Sequence, residues 1–94
     1  SGTIQMTNVG DSPAIALEEE VNGAVFITYI YCYDGFLYEI TVSQDTPVAQ
    51  GEGQQIIEVE QMSVRFLRAN LLEFSITDQK NDTFPVYVSL QSDQ

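Results

Sequence analysis

Two dipeptides, Asn22-Gly23 and Asp34-Gly35, constrain the fold more than any other feature of the chain. Each stands between alternating runs, and such a pair is the strongest short-range hairpin signal, because a type I′ turn needs positive φ at both central positions. The two turns bracket Ala24–Tyr33, so "AIALEEEV" (14–21), Ala24–Tyr33 and Phe36–Ser43 form a three-stranded meander. The first of these is the one segment a helix could claim, since Ala, Leu and Glu favour helices. Alternation of Ile15, Leu17 and Val21, feeding directly into Asn22-Gly23, argues for a strand instead. Ala24–Tyr33 is apolar or aromatic on both faces, which predicts the middle strand.

A two-residue turn also fixes register. At Asp34-Gly35 it sets Tyr33 opposite Phe36, Tyr31 opposite Tyr38, Tyr29 opposite Ile40 and Ile27 opposite Val42 on one face. The other face carries Cys32 with Leu37, Ile30 with Glu39, Thr28 with Thr41 and Phe26 with Ser43. By this hairpin the tyrosine face is the core. The Asn22-Gly23 turn implies the opposite, because it puts Glu18 beside Ile27 and Glu20 beside Val25 on the tyrosine face. A bulge in the middle strand would reconcile the two, and so would a sheet apolar on both sides with a partner chain covering one of them.

The remaining runs extend the pattern. Thr3–Val9 alternates and stops at "GDSP" (10–13), a turn signal. Gln44–Gln55, with Pro47, Gly51 and Gly53, reads as a long loop and as the crossover from one sheet to another. "IIEVEQMSVRFL" is one long bent strand or two short ones separated near Gln61. "RAN" (68–70) reads as a three-residue hairpin loop with Asn70 left-handed. It sets Val64 opposite Phe74 and Phe66 opposite Leu72, with Arg65 facing Glu73 on the other side. "DQKND" forms the next turn, and Phe84, Val86, Val88 and Leu90 alternate in a last strand whose Pro85 marks it as an edge. Gln91–Gln94 reads as a frayed tail. Seven or eight short strands without a helix predict an all-β, antiparallel β-sandwich forming one domain over 1–94. A small β-barrel and an immunoglobulin-like topology are the alternatives, the latter without its hallmark Trp and Cys pair.

Charge narrows the partners. Fourteen acidic residues against three basic ones give a net charge of −11, and ten of the acids precede Arg65, the first basic residue. Such a field repels nucleic acid and anionic membranes and attracts basic surfaces. No apolar run approaches the roughly 18 residues that span a bilayer. The Ser1-Gly2 start reads as a mature or excised domain.

Catalytic options are few. The chain has no histidine, which removes the common nucleophile–base pairs and most catalytic zinc sites. Cys32 is the only cysteine and lies in an apolar strand pattern, where it reads as a small buried hydrophobe. "GEGQQ" lacks the spacing and Lys of a phosphate loop. A carboxylate-pair hydrolase using two of Glu18, Glu20, Glu39, Glu58 and Glu60 is the least favoured reading. Glu18–Glu20, or Asp78 with Asp82, offers hard oxygens for Ca²⁺; solvated charge guarding an edge is the simpler account. "NDT" (81–83) matches a glycosylation acceptor.

The expectation is therefore a non-enzymatic acidic binding or assembly module of an extracellular, cell-surface or virion-type protein, using a sheet face or edge and no cofactor. Its candidate contact is the aromatic hairpin Tyr29, Tyr31, Tyr33, Phe36 and Tyr38, rimmed by Glu18 and Glu20. The partner is a protein (another molecule or a second copy) or a carbohydrate stacking on the tyrosines. The alternative is a small acidic inhibitor that mimics nucleic acid and blocks a basic cleft; a phosphate-like row of carboxylates on one surface would distinguish it.

Overall fold

The computed structural model describes residues 2–89. Eight strands occur in chain order: β1 (Gly2–Val9), β2 (Ser12–Val21), β3 (Ala24–Tyr33), β4 (Phe36–Ser43), β5 (Gln54–Glu58), β6 (Gln61–Arg68), β7 (Leu71–Thr77) and β8 (Thr83–Ser89). They form a five-stranded sheet, β1-β2-β3-β4-β5, and a three-stranded sheet, β6-β7-β8, antiparallel throughout. The fold is all-β, an antiparallel sandwich. Every strand neighbours its predecessor within a sheet, so the connections are a plain meander and not the Greek key of immunoglobulin domains. The two separate sheets likewise set it apart from a closed barrel.

Both type I′ turns form. Asn22 and Gly23 have φ of 52° and 84°, and Asp34 and Gly35 have 49° and 83°. The registers follow from them: Tyr31 lies opposite Tyr38, and Glu18 lies opposite Ile27. Pairing along β3 is unbroken on both sides, so no bulge reconciles the two hairpins. Both registers stand because both faces of this sheet are covered, and the chain itself provides the covers. On one face Ile15 is fully buried against Leu72 and Phe74 of the second sheet, with Ile4, Leu17 and Val64 around them. On the other, Val9, Ala14, Tyr31 and Tyr38 form a second cluster beneath Val48 of the 44–53 loop.

That loop departs from expectation. It connects β4 to β5, which are neighbours in one sheet, and Gln54 and Gln55 already belong to β5. The crossover lies instead at Val59–Glu60. Val59 N–H donates to the Gly35 carbonyl at 2.9 Å in the first sheet, and Glu60 N–H donates to the Thr77 carbonyl at 2.8 Å in the second. Two successive amides thus serve two sheets, and Val59 is buried at the corner. An apolar residue between two glutamates can turn such a corner because its side chain goes inward while theirs stay in water.

In the second sheet Val64 faces Phe74, Phe66 faces Leu72 and Arg65 faces Glu73, as the "RAN" turn predicts. Asn70, however, keeps a negative φ. A bulge between Phe66 and Arg68 absorbs the extra residue, so Ala69 and Asn70 make a tighter turn with no left-handed residue. Arg65 Nε donates to Glu73 Oε1 at 2.7 Å, which holds the Glu73 carboxyl below the usual carboxylate range. β8 is an edge strand, as Pro85 implies. The Gln91–Gln94 tail lies outside the described residues.

Candidate binding surface

The tyrosine hairpin is assembled as its register dictates, but it faces its own chain. The Tyr31 and Tyr38 rings stack with centroids 5.3 Å apart and planes 12° from parallel, and Tyr33 tilts against Tyr38 at 6.4 Å. Tyr31 has no exposed surface, and its hydroxyl is fully used. It donates to the Glu52 carbonyl at 2.5 Å and accepts the Gly51 N–H at 3.1 Å. Burial raises the Tyr31 pKa against the opposing pull of the Gly51 N–H. Tyr38 Oη accepts from Gln55 Nε2 at 2.9 Å.

The 44–53 loop is pinned at one further point and braced once within itself. Gln50 Nε2 donates to Ser12 Oγ at 2.9 Å, and Glu52 Oε1 accepts the Ala49 N–H at 2.6 Å. Gly53 is required where the loop re-enters the sheet. Its φ is +103°, and a Cβ there would stand 2.5 Å from the Glu39 carbonyl oxygen.

The aromatic-platform reading therefore needs correction. Tyr31 and Tyr38 are buried, so they cannot touch a partner; the Tyr31 hydroxyl supplies the partner that the loop's backbone groups need, and the Tyr38 hydroxyl holds the Gln55 side chain of β5. Tyr29 and Phe36 are half-buried against the same cluster. Tyr33 alone of the five keeps substantial exposure, 38%. Glu18 and Glu20 lie opposite Ile27 and Val25, toward the Asn22-Gly23 tip and away from the stack, so no acidic rim surrounds the tyrosines.

The inner face presents the more open surface. At about 4.8 Å per strand, three strands span roughly 14 Å and five span about 24 Å, so the small sheet cannot roof the large one. A groove of about 180 Å³ remains between them. Ile30, Leu37 and Ile56 form its floor, and Phe74, Ile76 and Val86 form its roof. The β4–β5 bulge between Leu37 and Tyr38 contributes here. It lets Gln55 stay on the tyrosine face, bonded to Tyr38, while its neighbour Ile56 lines the groove. The lining is wholly apolar, and the mouth is open: Ile56 is 47% exposed and Val86 42%, and Phe84, next to the lining and opposite Ile76, is 52% exposed.

These residues were missed in the sequence, although one signal was available. Ile56-Ile57 and the row Phe84, Val86 supply apolar side chains on the short and edge strands, beyond what two unequal sheets can bury. The volume is close to that of engineered apolar cavities of ~150 Å³ that take up a benzene ring. One bulky aliphatic or aromatic side chain fits such a space.

The other candidate chemistries find no gathered site. Asp78 Oδ1 accepts the N–H groups of Lys80 and Asp82, both at 2.9 Å, so it is occupied by its own turn. Among the described residues no three Cys, Asp or Glu side chains converge. Cys32 sits half-buried on the inner face opposite Leu37, and burial pushes its thiol up to about 11.

Residues 1–79 match the family described as Domain of unknown function (DUF4860), and the chain belongs to that family. No curated protein and no solved structure matches it.

Proposed function

For this DUF4860 domain we propose a non-enzymatic role as an acidic binding and assembly module that takes an apolar side chain of a protein partner into the inter-sheet groove. One observation carries the reading: the groove between β5 and β8 is lined only by apolar side chains, yet Ile56 and Val86 of that lining, and Phe84 two residues along β8, stand about half in water. Exposed apolar area of this kind is stabilised by a partner's side chain and offers no acid, base or nucleophile for chemistry. The net charge of −11 adds long-range attraction for basic partner surfaces, raising the encounter rate more than the final affinity. A carbohydrate has less to hold: the stacked tyrosines face the chain's own loop, and the groove presents no polar group for sugar hydroxyls.

The nucleic-acid mimic keeps the support of net charge alone. Among the described strands no acid lies opposite another acid, and only Glu18 and Glu20 follow one another on one face. Ordinary solubility accounts for that layout.

The test is to immobilise the domain and compare what it retains from extracts of the cells that make it, for wild type, Ile56→Asp/Val86→Asp and Glu18→Gln/Glu20→Gln. Loss of a retained protein with the groove variant alone supports the groove. Loss with the acid variant alone supports the mimic and sinks the groove reading.

A further inference from the structure

The two sheets leave four free edges, and three of them are blunted in the ways that keep monomers apart. β5 is five residues long and its pairing is broken by a bulge. β6 is bulged and carries Arg65 and Arg68. β8 contains Pro85, which has no N–H to offer. β1 has none of these defences. Its eight residues pair with β2 without a break, from Gly2 opposite Glu19 to Val9 opposite Ser12, and they include no charge and no proline. Three strands carry no charge, β1, β3 and β8; β3 is central and β8 is interrupted by Pro85, so β1 alone among the described edge strands is free of both charge and proline.

We infer that β1 pairs with β1 of a second copy, antiparallel about a two-fold axis through Gln5, joining two five-stranded sheets into one. The sequence of the strand is self-complementary about that point. In Thr3-Ile4-Gln5-Met6-Thr7, reversal sets Thr3 against Thr7 of the second copy, Ile4 against Met6, and Gln5 against Gln5. A two-fold interface uses the same patch on both subunits, so it favours a strand that reads alike in both directions. Hydroxyl pairs, apolar pairs and a pair of amides are all favourable cross-strand neighbours. A slip of one residue would set the apolar positions on the wrong face.

Packing and charge agree with this register. Ile4 and Met6 lie on the inner face, where they pair with Leu17 and Ile15. Ile4 packs against the inter-sheet cluster, whereas Met6 beside it is left 56% exposed. The two-fold places each Met6 against the partner's Ile4, extending the core across the seam. Glu18 is aligned with Thr3, so across the seam its row continues to Thr7 and Ala14 of the second copy; Glu19, aligned with Gly2, continues to Asn8 and Pro13. No carboxylate meets a carboxylate. Repulsion between the copies is then a long-range term that salt screens.

The experiment is light scattering over protein concentration at low and raised salt, on wild type, Gln5→Lys, Gln5→Glu and an equal mixture of the two variants. Gln5 is exposed, and retained wild-type circular dichroism shows that each variant folds. The expected result is a doubling of solution mass for wild type, favoured by salt. Each variant alone is monomeric, because it sets like charges face to face at the axis, and the mixture regains the doubled mass. Lys lowers the net negative charge, so loss of the dimer in that variant locates the seam at residue 5. A wild type monomeric under every condition overturns the inference, as does a dimer indifferent to both charges. A dimer lost in Ile56→Asp/Val86→Asp but kept in both Gln5 variants also overturns it, and leaves the groove reading intact.

Discussion

The two faces of the five-stranded sheet are covered by different means. Over the tyrosines lies a ten-residue loop, 44–53, fixed by hydrogen bonds to Tyr31 and by Gln50 to Ser12. Over the opposite face lies a three-stranded sheet, in contact through side chains such as Leu72 and Phe74 against Ile15. The first cover is closed and the second is not. A loop brings backbone polar groups that must be satisfied, so it can settle only where hydroxyls and amides meet it, and those contacts fix its position. A sheet has satisfied its own backbone, needs only apolar contact, and can stop short of the rim. Polar tips on one face thus produce a sealed layer, while contact through apolar side chains alone on the other leaves a groove.

The largest effects should come from the two buried centres. Tyr31→Ala removes a stacked ring together with the loop's anchor, and Leu72→Ala hollows the inter-sheet cluster. Truncating buried aromatic and aliphatic residues costs about 3–5 and 2–5 kcal/mol respectively. Either is a large part of the ~5–15 kcal/mol that holds a domain together. Urea unfolding measures both. If Tyr31→Ala cost no more than a surface change, the sealed layer would be decoration and the comparison would fail.

Tyr31→Phe sharpens the same point, because it keeps the ring and deletes only the hydroxyl. The Gly51 N–H and the Glu52 carbonyl then lose their shared partner, at a cost of about 0.5–1.5 kcal/mol for each hydrogen bond, since both residues are exposed and water can replace the hydroxyl. Amide exchange at Gly51 should accelerate while the amides of β7 remain protected. Uniform acceleration over both layers would mean that the loop and the second sheet open together. Gly53→Ala falls in the same range by another route: strain at positive φ costs roughly 1–3 kcal/mol, and the new Cβ would meet the Glu39 carbonyl.

How much of this was legible depends on the range of the signal. The two type I′ turns act over two residues, so the meander and its registers could be read from Asn22-Gly23 and Asp34-Gly35 alone. The Val64–Phe74 pairing came equally well from "RAN", although the turn closes by a bulge and not through a left-handed Asn70. What could not be read was which segment covers which face. The tyrosine face presented Glu18 and Glu20 along with its rings, and local pattern cannot say that a loop ten residues later folds back over the rings only. The same limit misassigned residues 44–55 as the crossover. Length and glycine content mark a loop but carry no destination, whereas the true corner at Val59–Glu60 falls beside the break near Gln61 that one reading of "IIEVEQMSVRFL" allowed, with nothing in the pattern to say that the break leads to a second sheet. The groove follows from unequal sheet widths, which no single segment encodes.

On the open side the expected effects are small. Val86→Thr removes little buried area from a residue 42% exposed and introduces a hydroxyl that water can reach. A change of within about 0.5 kcal/mol is expected, as for surface substitutions. Phe84→Ser, at 52% exposure, belongs with it. Urea midpoints within error of wild type would match a rim unused in folding. A loss of ~2 kcal/mol would show that the rim is structural and that the groove is closed in solution.

The smallest effect tests how far water reaches into the inner face. Cys32 lies opposite Leu37 beside the groove, and burial raises its thiol from 9.0 to about 11. A pKa higher in the folded state means that the folded chain holds this proton more tightly. The resulting stability is complete below pH 9 and is lost as pH rises toward 11. At pH 8 the thiolate, which is the reactive form, is correspondingly scarce, so alkylation by iodoacetamide should be slower than for an exposed cysteine and should climb until about pH 11. Rates matching a free thiol at pH 8 would show that the inner face is wetter than its packing implies. A rate that falls further when a partner is bound would show the groove being covered, on the face that the chain itself leaves open.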